Sequence, residues 1–203
     1  MDALEYLTKE HDLFRTLFKA FETAEEADDS ATMQQLQVEM FDAIKVHSAI
    51  EEEVFYPQAK EVGGEAEDLV AEGIEEHHVA DVLMAEVEAL SPDDDAWAAK
   101  LKVFIENVDH HAQEEESELF PKLRKAFGND RLATMGEQLA QARKAKTGDP
   151  GPIGMAGLSI ELDLTERTRD ELYELAQDRD IPDRSTMTKD ELVKALQSDR
   201  SSS

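Results

Sequence analysis

Apolar residues return every three or four positions through most of residues 1–146, the spacing of one buried stripe on a helix. Leu4, Leu7, His11, Phe14, Phe18 and Phe21 mark a first helix that ends near Asp28. Asp29 or Ser30 suits the cap of a second helix, with Met33, Leu36, Met40, Ile44, His47, Glu51 and Phe55 inward as far as Pro57. Gly63-Gly64 predicts a turn, and a third helix follows from about Glu65 to Leu90, with Leu69, Ile74, His77, Met84 and Val87 inward. Ser91-Pro92 predicts a cap followed by proline at the first helical position, opening a fourth helix through Trp97, Leu101, Phe104, Val108, His111 and Glu115. Beyond Gly128-Asn129 a shorter fifth helix, Asp130 to about Lys146, carries Leu132, Met135 and Leu139. Long helices with short connections predict an all-α fold, an up-down-up-down four-helix bundle with a short fifth helix.

The polar residues that interrupt the stripes repeat as well. Shifting the chain by 64 residues lays His47 on His111, Glu51 on Glu115, Phe55 on Leu119 and Pro57 on Pro121. A shift of 66 lays Glu10 on Glu76, His11 on His77, Leu13 on Val79, Leu17 on Leu83, Phe18 on Met84 and Phe21 on Val87. Each long helix thus brings one histidine at a matching depth, and two of them add a glutamate four residues later. His and Glu four apart share a helix face, so both reach the same interior volume. The registered repeat points to His11, His47, Glu51, His77, His111 and Glu115 as metal ligands around a pseudo-symmetric two-metal site. The same register selects His77 over His78 and His111 over His110, leaving His78 and His110 on the solvent side or behind the ligands. Glu52, Glu53, Glu114 and Glu116 read as a solvated face, and Phe14, Phe18, Phe55, Phe104 and Phe120 as bundle core. Tyr56 adjoins the first motif.

After the fifth helix, Thr147 to Gly157 (TGDPGPIGMAG) reads as a flexible linker, and residues 158–203 form a separate small unit. That unit has its own repeat, TRDEL at Thr168 and TKDEL at Thr188, each a capping box before a short helix. The expected shape is helix, extended loop, helix, with a frayed serine-rich end.

Charge and composition narrow the partners. The net charge is −27, and from residue 158 onward 7 Lys+Arg stand against 12 Asp+Glu. Neither part has the basic footprint of a nucleic-acid or anionic-membrane binder. No apolar run is long enough for a membrane span, and the amino terminus lacks the basic and apolar regions of a signal peptide, so the expected location is cytoplasmic. The chain has no cysteine, which excludes thiolate metal sites. Imidazole with carboxylate suits iron, manganese or zinc. Two six-coordinate ions need roughly twelve positions. Four histidines, two bridging glutamates and a bridging oxygen leave about two open, where a structural zinc site would leave none. That count favours two iron ions, oxo- or hydroxo-bridged, over manganese or zinc.

The pattern H…HxxxE…H…HxxxE over roughly residues 1 to 127 resembles the haemerythrin-like (HHE cation-binding) family. The resemblance implies a non-haem di-iron site in a four-helix bundle, with the four histidines terminal and Glu51 and Glu115 bridging. It also implies dioxygen or hydrogen peroxide as the small-molecule partner, in carriage, sensing, iron handling or catalase-like activity. Two departures bear on that choice. Oxygen-carrying haemerythrins have a fifth histidine one turn after the third-helix ligand, where Asp81 stands here, so Asp81 is a possible additional ligand. They also carry an aspartate five residues after the fourth-helix histidine, where this chain keeps His-x-x-x-Glu. Loss of the fifth imidazole leaves a more open site or, with Asp81 bound, a more anionic one, and either outcome favours ferric iron and peroxide or redox chemistry. The carboxy-terminal unit resembles the amino-terminal module of transcription terminator Rho, related in shape to SAP domains. The matching residues are its two TxDEL starts, Tyr173, Ile181 and Arg184-Ser185-x-Met187. Asp183 and Thr186 replace that family's glycine and basic residue, which favours docking to a protein or a purely structural role over nucleic acid.

Overall fold

The computed structural model describes residues 1–152, 169–178, 181, 184 and 187–199, and every regular element among them is a helix. The chain divides into two compact units, Met1–Met155 and Ala156–Ser203. In the first, α1 (Ala3–Glu26), α2 (Ser30–Ile50), α4 (Glu65–Glu88) and α5 (Asp95–Glu114) form the bundle, with α1 packed on α2 and α5, and α4 on α5 and α2. Short connections return each helix along the last. Asp2 and Glu5 make a reciprocal capping box at the start of α1, and the Asp29 carboxylate accepts from the Thr32 amide to start α2. Between α2 and α4, Gly63 and Gly64 take φ of 73° and 59°, a region closed to most side chains. Ser91-Pro92 does not cap the fourth helix as the sequence suggests. Ser91 opens a turn, its carbonyl accepting from the Asp94 amide, and the Asp94 carboxylate caps α5 through the Ala96 amide.

The second and fourth helices do not run as plain α-helix. A π-helical turn occupies Glu51–Phe55 and another Glu115–Leu119, followed by α3 (Tyr56–Ala59) and α6 (Phe120–Ala126). Within them the Tyr56 amide donates to the Glu51 carbonyl and the Phe120 amide to the Glu115 carbonyl, each five residues back. Pro57 and Pro121 account for the position. A proline lacks its N–H and crowds the carbonyl four residues behind, here Glu53 and Ser117, and a widened turn relieves both. The extra residue shifts the register, so that Phe55 and Tyr56 both face inward, and likewise Leu119 and Phe120.

The fifth long helix, α7 (Asn129–Thr147), is 19 residues long, close to the bundle helices in length. Its Leu132, Met135 and Leu139 join Leu4, Leu7, Phe55 and Phe120 in one apolar cluster that closes this end of the bundle. Gly136 lets α7 approach the amino terminus, because a Cβ there would stand 2.5 Å from the Met1 carbonyl oxygen and 2.9 Å from the Asp2 carbonyl carbon. Gly136→Ala should therefore cost about 1–3 kcal/mol in thermal or urea unfolding; an unchanged melting curve would show that α7 is not seated as described. Gly148, left-handed at φ 83°, ends α7. The start of the expected linker packs on the bundle, since Thr147 is helical, Gly151 is buried and the Tyr6 hydroxyl donates to the Pro150 carbonyl (2.8 Å). Residues 153–157 lie outside the described residues.

The second unit pairs α8 (Arg169–Asp178) with α9 (Lys189–Asp199) around Leu172, Ala176, Ile181, Leu192 and Val193. The Thr188 box is present: the Glu191 carboxylate accepts from the Thr188 amide (2.8 Å), and the Thr188 hydroxyl from the Glu191 amide (3.3 Å). The first box depends on Thr168, outside the described residues, as are Asp183, Ser185, Thr186 and the terminal serines. Among the described residues no helix is long and apolar enough to cross a membrane.

Candidate metal centre

The four helices bring His11, His47, His77, His111, Glu51 and Glu115 together in the bundle interior, each at most 6% exposed. Their donor atoms fall into two groups, His11, His47, Glu51 and Glu115, and Glu51, His77 and His111, each within 4.8 Å. Glu51 belongs to both. Its Oε2 lies 3.3 Å from His47 Nε2 and 3.3 Å from His77 Nε2, between the two histidine pairs. His78 and His110 are exposed, so the structure gathers one member of each doublet. Asp81 is exposed and outside both groups, because Ala80 takes the inward position one turn beyond His77.

A carboxylate holds the outer nitrogen of every one of these histidines. Glu10 accepts from His47 Nδ1 (2.7 Å), Glu76 from His111 Nδ1 (2.7 Å), Glu116 from His11 Nδ1 (2.8 Å) and Glu52 from His77 Nδ1 (3.0 Å). A carboxylate only accepts, so each Nδ1 carries the hydrogen and each Nε2 presents a lone pair to the interior. The Nε2 atoms meet in pairs, His11 with His47 and His77 with His111, both at 3.2 Å. All four oxygens of Glu51 and Glu115 are buried with no hydrogen-bond partner. The centre is therefore a buried space lined mostly by acceptors, which a cation or added protons would satisfy. The donor set fits such a cation.

Glu52 and Glu116 correct the expectation of a solvated face, since each turns inward to a histidine although Glu52 stays half exposed. The sequence repeat pairs these four positions, Glu10 with Glu76 and Glu52 with Glu116, but does not signal that they face imidazoles. Nor does it signal how they are backed. Arg143 of α7 donates to Glu10 (2.7 Å), and Arg15 donates to both oxygens of Glu116 (3.1 Å each). The other oxygen of Glu76 instead faces His110 (3.9 Å).

Burial sets the protonation of the metal-free centre. It pushes the Glu51 and Glu115 carboxyls well above their usual range, and their mutual repulsion raises Glu115 further. It pushes His11 down to about 4, against the hydrogen bond to Glu116, and His47 well below its usual value. Glu10 rises to about 7 through burial, although Arg143 pulls it down. Burial would raise Glu76 too, but the His111 hydrogen bond together with the charges of His111, His110 and His77 leaves it below the usual value.

Aromatic rings frame the centre in the same two-fold pattern. Phe120 stacks on His11 (6.0 Å, 12°) and its registered counterpart Tyr56 on His77 (5.6 Å, 24°). Phe14 meets the His47 ring edge-on at 4.9 Å. The Tyr56 hydroxyl reaches His111 Nε2 at 3.3 Å, and burial, with Glu115 and Glu51 nearby, keeps it protonated well past its usual range. Space for that hydroxyl comes from Gly73, whose counterpart in the first half is the fully buried Leu7. On another side of the centre, Phe14, Ile44, Ala80, Val108 and Ala112 line a cavity touching all four histidines. Its volume of about 10 Å³ holds roughly one water-sized molecule.

No curated protein and no solved structure matches the chain at a significant level. Residues 2–123, more than half of the chain, match the family model described as the hemerythrin HHE cation binding domain. Buried histidines aimed by carboxylates, unpartnered glutamates and this match agree, and the chain belongs to the hemerythrin HHE cation-binding family.

Proposed function

We propose that the bundle is a non-haem di-iron protein that takes dioxygen or hydrogen peroxide, with catalase-like peroxide decomposition as its activity. The observation that carries the reading is the acceptor-rich centre, in which four histidine Nε2 atoms face the buried, unpartnered carboxylate oxygens of Glu51 and Glu115. In it, His11 and His47 would hold one ion and His77 and His111 the other, with Glu51 and Glu115 shared between them. The bound irons would supply two-electron redox chemistry and open positions for an oxygen ligand. The protein's own residues do the rest. Glu10, Glu52, Glu76 and Glu116 fix ring orientation and raise imidazole basicity. Phe14, Ile44 and Val108 keep bulk water out of the small cavity, while the Tyr56 hydroxyl holds a proton beside His111. In the net reaction one peroxide is oxidised to dioxygen and a second is reduced to water, so no outside reductant is needed.

The test is anaerobic loading with ferrous iron, metal analysis and an optical spectrum after oxidation, then peroxide in an oxygen electrode. We expect two irons per chain, oxo-to-iron absorption, and oxygen release that Glu115→Ala abolishes. An iron-loaded protein that releases no oxygen removes the catalase-like activity; one zinc, or no metal, removes the di-iron centre.

A sensor is the second reading, favoured by one connection. His47 is bonded to Glu10, Glu10 to Arg143, and Arg143 packs beneath Gly151 in the segment that leads to the second unit. The second unit, read as Rho-like in shape, would then dock a protein partner, and less readily nucleic acid. Metal-dependent protease cleavage after residue 152 without peroxide turnover would favour this reading.

A further inference from the structure

The repeat breaks at one place on the rim of the centre. Glu76 on α4 and His110 and Glu114 on α5 bring donor atoms within 4.8 Å of one another, outside the buried ligands. His110 and Glu114 are one helical turn apart, and Glu76 faces them with the oxygen that His111 does not use. In the first half the registered positions are Glu10, Val46 and Ile50. There Glu10 is fully buried beneath Arg143, and apolar side chains replace the other two donors. The first half is covered there by Arg143 of α7, and the second presents three side chains with metal-binding donor atoms.

A small cavity adjoins two members of this group, Glu76 and Glu114. Gly73, Glu76, His111, Glu114 and Glu115 line it, with a volume of about 10 Å³, enough for one water-sized body. Of these, Glu115 is 4% exposed, with both carboxylate oxygens lacking a partner. Gly73, which registers with the buried Leu7 of the first half, adds no side chain to the cavity wall, and the Tyr56 hydroxyl stands beside it.

We propose that Glu76, His110 and Glu114 form an outer site for a divalent cation, ferrous iron above all, through which the His77–His111 side of the buried centre is loaded. The assignment rests on the buried cluster being a metal centre. Glu76 links the two stages, with one oxygen in the outer group and the other on His111. His110 and Glu114 act only in the first stage, so they can be changed without touching a buried ligand.

The experiment uses the full-length protein with His110→Ala and Glu114→Gln combined. Anaerobic uptake of cobalt(II) by the metal-free protein is followed by stopped-flow absorption at micromolar cobalt. In addition, manganese(II) is titrated by electron paramagnetic resonance into protein already loaded with iron. The expected result is uptake slowed by roughly tenfold or more, with the final cobalt stoichiometry and spectrum unchanged. The further, weaker manganese equivalent seen in the wild type should weaken at least tenfold in the variant. Unchanged uptake overturns the proposal, as does loss of final stoichiometry, which would place these residues in the buried centre itself. If the wild type takes up no metal at all, the di-metal reading fails instead.

Discussion

Replacing Glu51 by leucine should stabilise the metal-free protein at pH 8 by roughly 1–4 kcal/mol, while abolishing stable metal loading. The two effects share one cause. Glu51 is fully buried, lies among imidazole nitrogens that offer lone pairs, and has no donor on either oxygen. Its folded pKa is raised, so its favourable contribution is complete below the unfolded value of 4.5 and is lost as pH rises through the folded value. The gain from Glu51→Leu should therefore grow with pH and shrink toward pH 4. His11 and His47 shift the other way. Their lowered values give stability above the ordinary 6.5 that is lost as pH falls, for His11 toward about 4. Metal-free wild type is thus squeezed from both sides, and bound cations relieve the alkaline side. Thermal unfolding from pH 5 to pH 8, with and without ferrous iron, checks this. A metal-free Glu51→Leu protein less stable than wild type at pH 8 would contradict an acceptor-rich centre.

Arg143→Met should be the most damaging single change outside the ligands, costing about 3–5 kcal/mol. The guanidinium is mostly buried, its bond to Glu10 is 2.7 Å, and Glu10 is 1% exposed. Removing it leaves a carboxylate that burial already pushes to about 7 with no cation beside it. Glu10 would then take up a proton near neutrality and accept less strongly from His47 Nδ1. Two measurements separate this from a general packing loss. The double change Glu10→Gln with Arg143→Met should recover part of the stability, since the unpaired charge is gone. Iron-loaded Arg143→Met should show an altered optical spectrum, because the ring of His47 is less firmly held. Stability equal to wild type would mean that Glu10 gets its compensation elsewhere.

The contrast between Arg143 and the ligands shows what a sequence records. Helix periodicity is a local property, so α1, α2, α4, α5 and α7 were legible from their apolar spacing, and the ligand doublets from the registered repeat. The capping of α5 was misread, because Ser91-Pro92 and Asp94 are both competent start signals and only the backbone path selects between them. The π-helical turns were missed for a related reason. Proline signals a disturbance of the helix, but whether the chain kinks, stops or widens depends on what it must pack against. The same turns aim Phe55 and Tyr56, and Leu119 and Phe120, inward together.

By itself the sequence determined the helices, the duplicated His and Glu positions and the choice within each doublet, since all of these are set by spacing along one strand of chain. Only the tertiary structure decided how the halves differ. It placed Glu10, Glu52, Glu76 and Glu116 on the histidine rings, covered one half with α7 and Arg143, and in the other brought Glu76, His110 and Glu114 together. The reason is physical. A carboxylate on an acidic helix looks the same whether it faces water or an imidazole, and burial and hydrogen bonding to residues far along the chain exist only once the helices are packed.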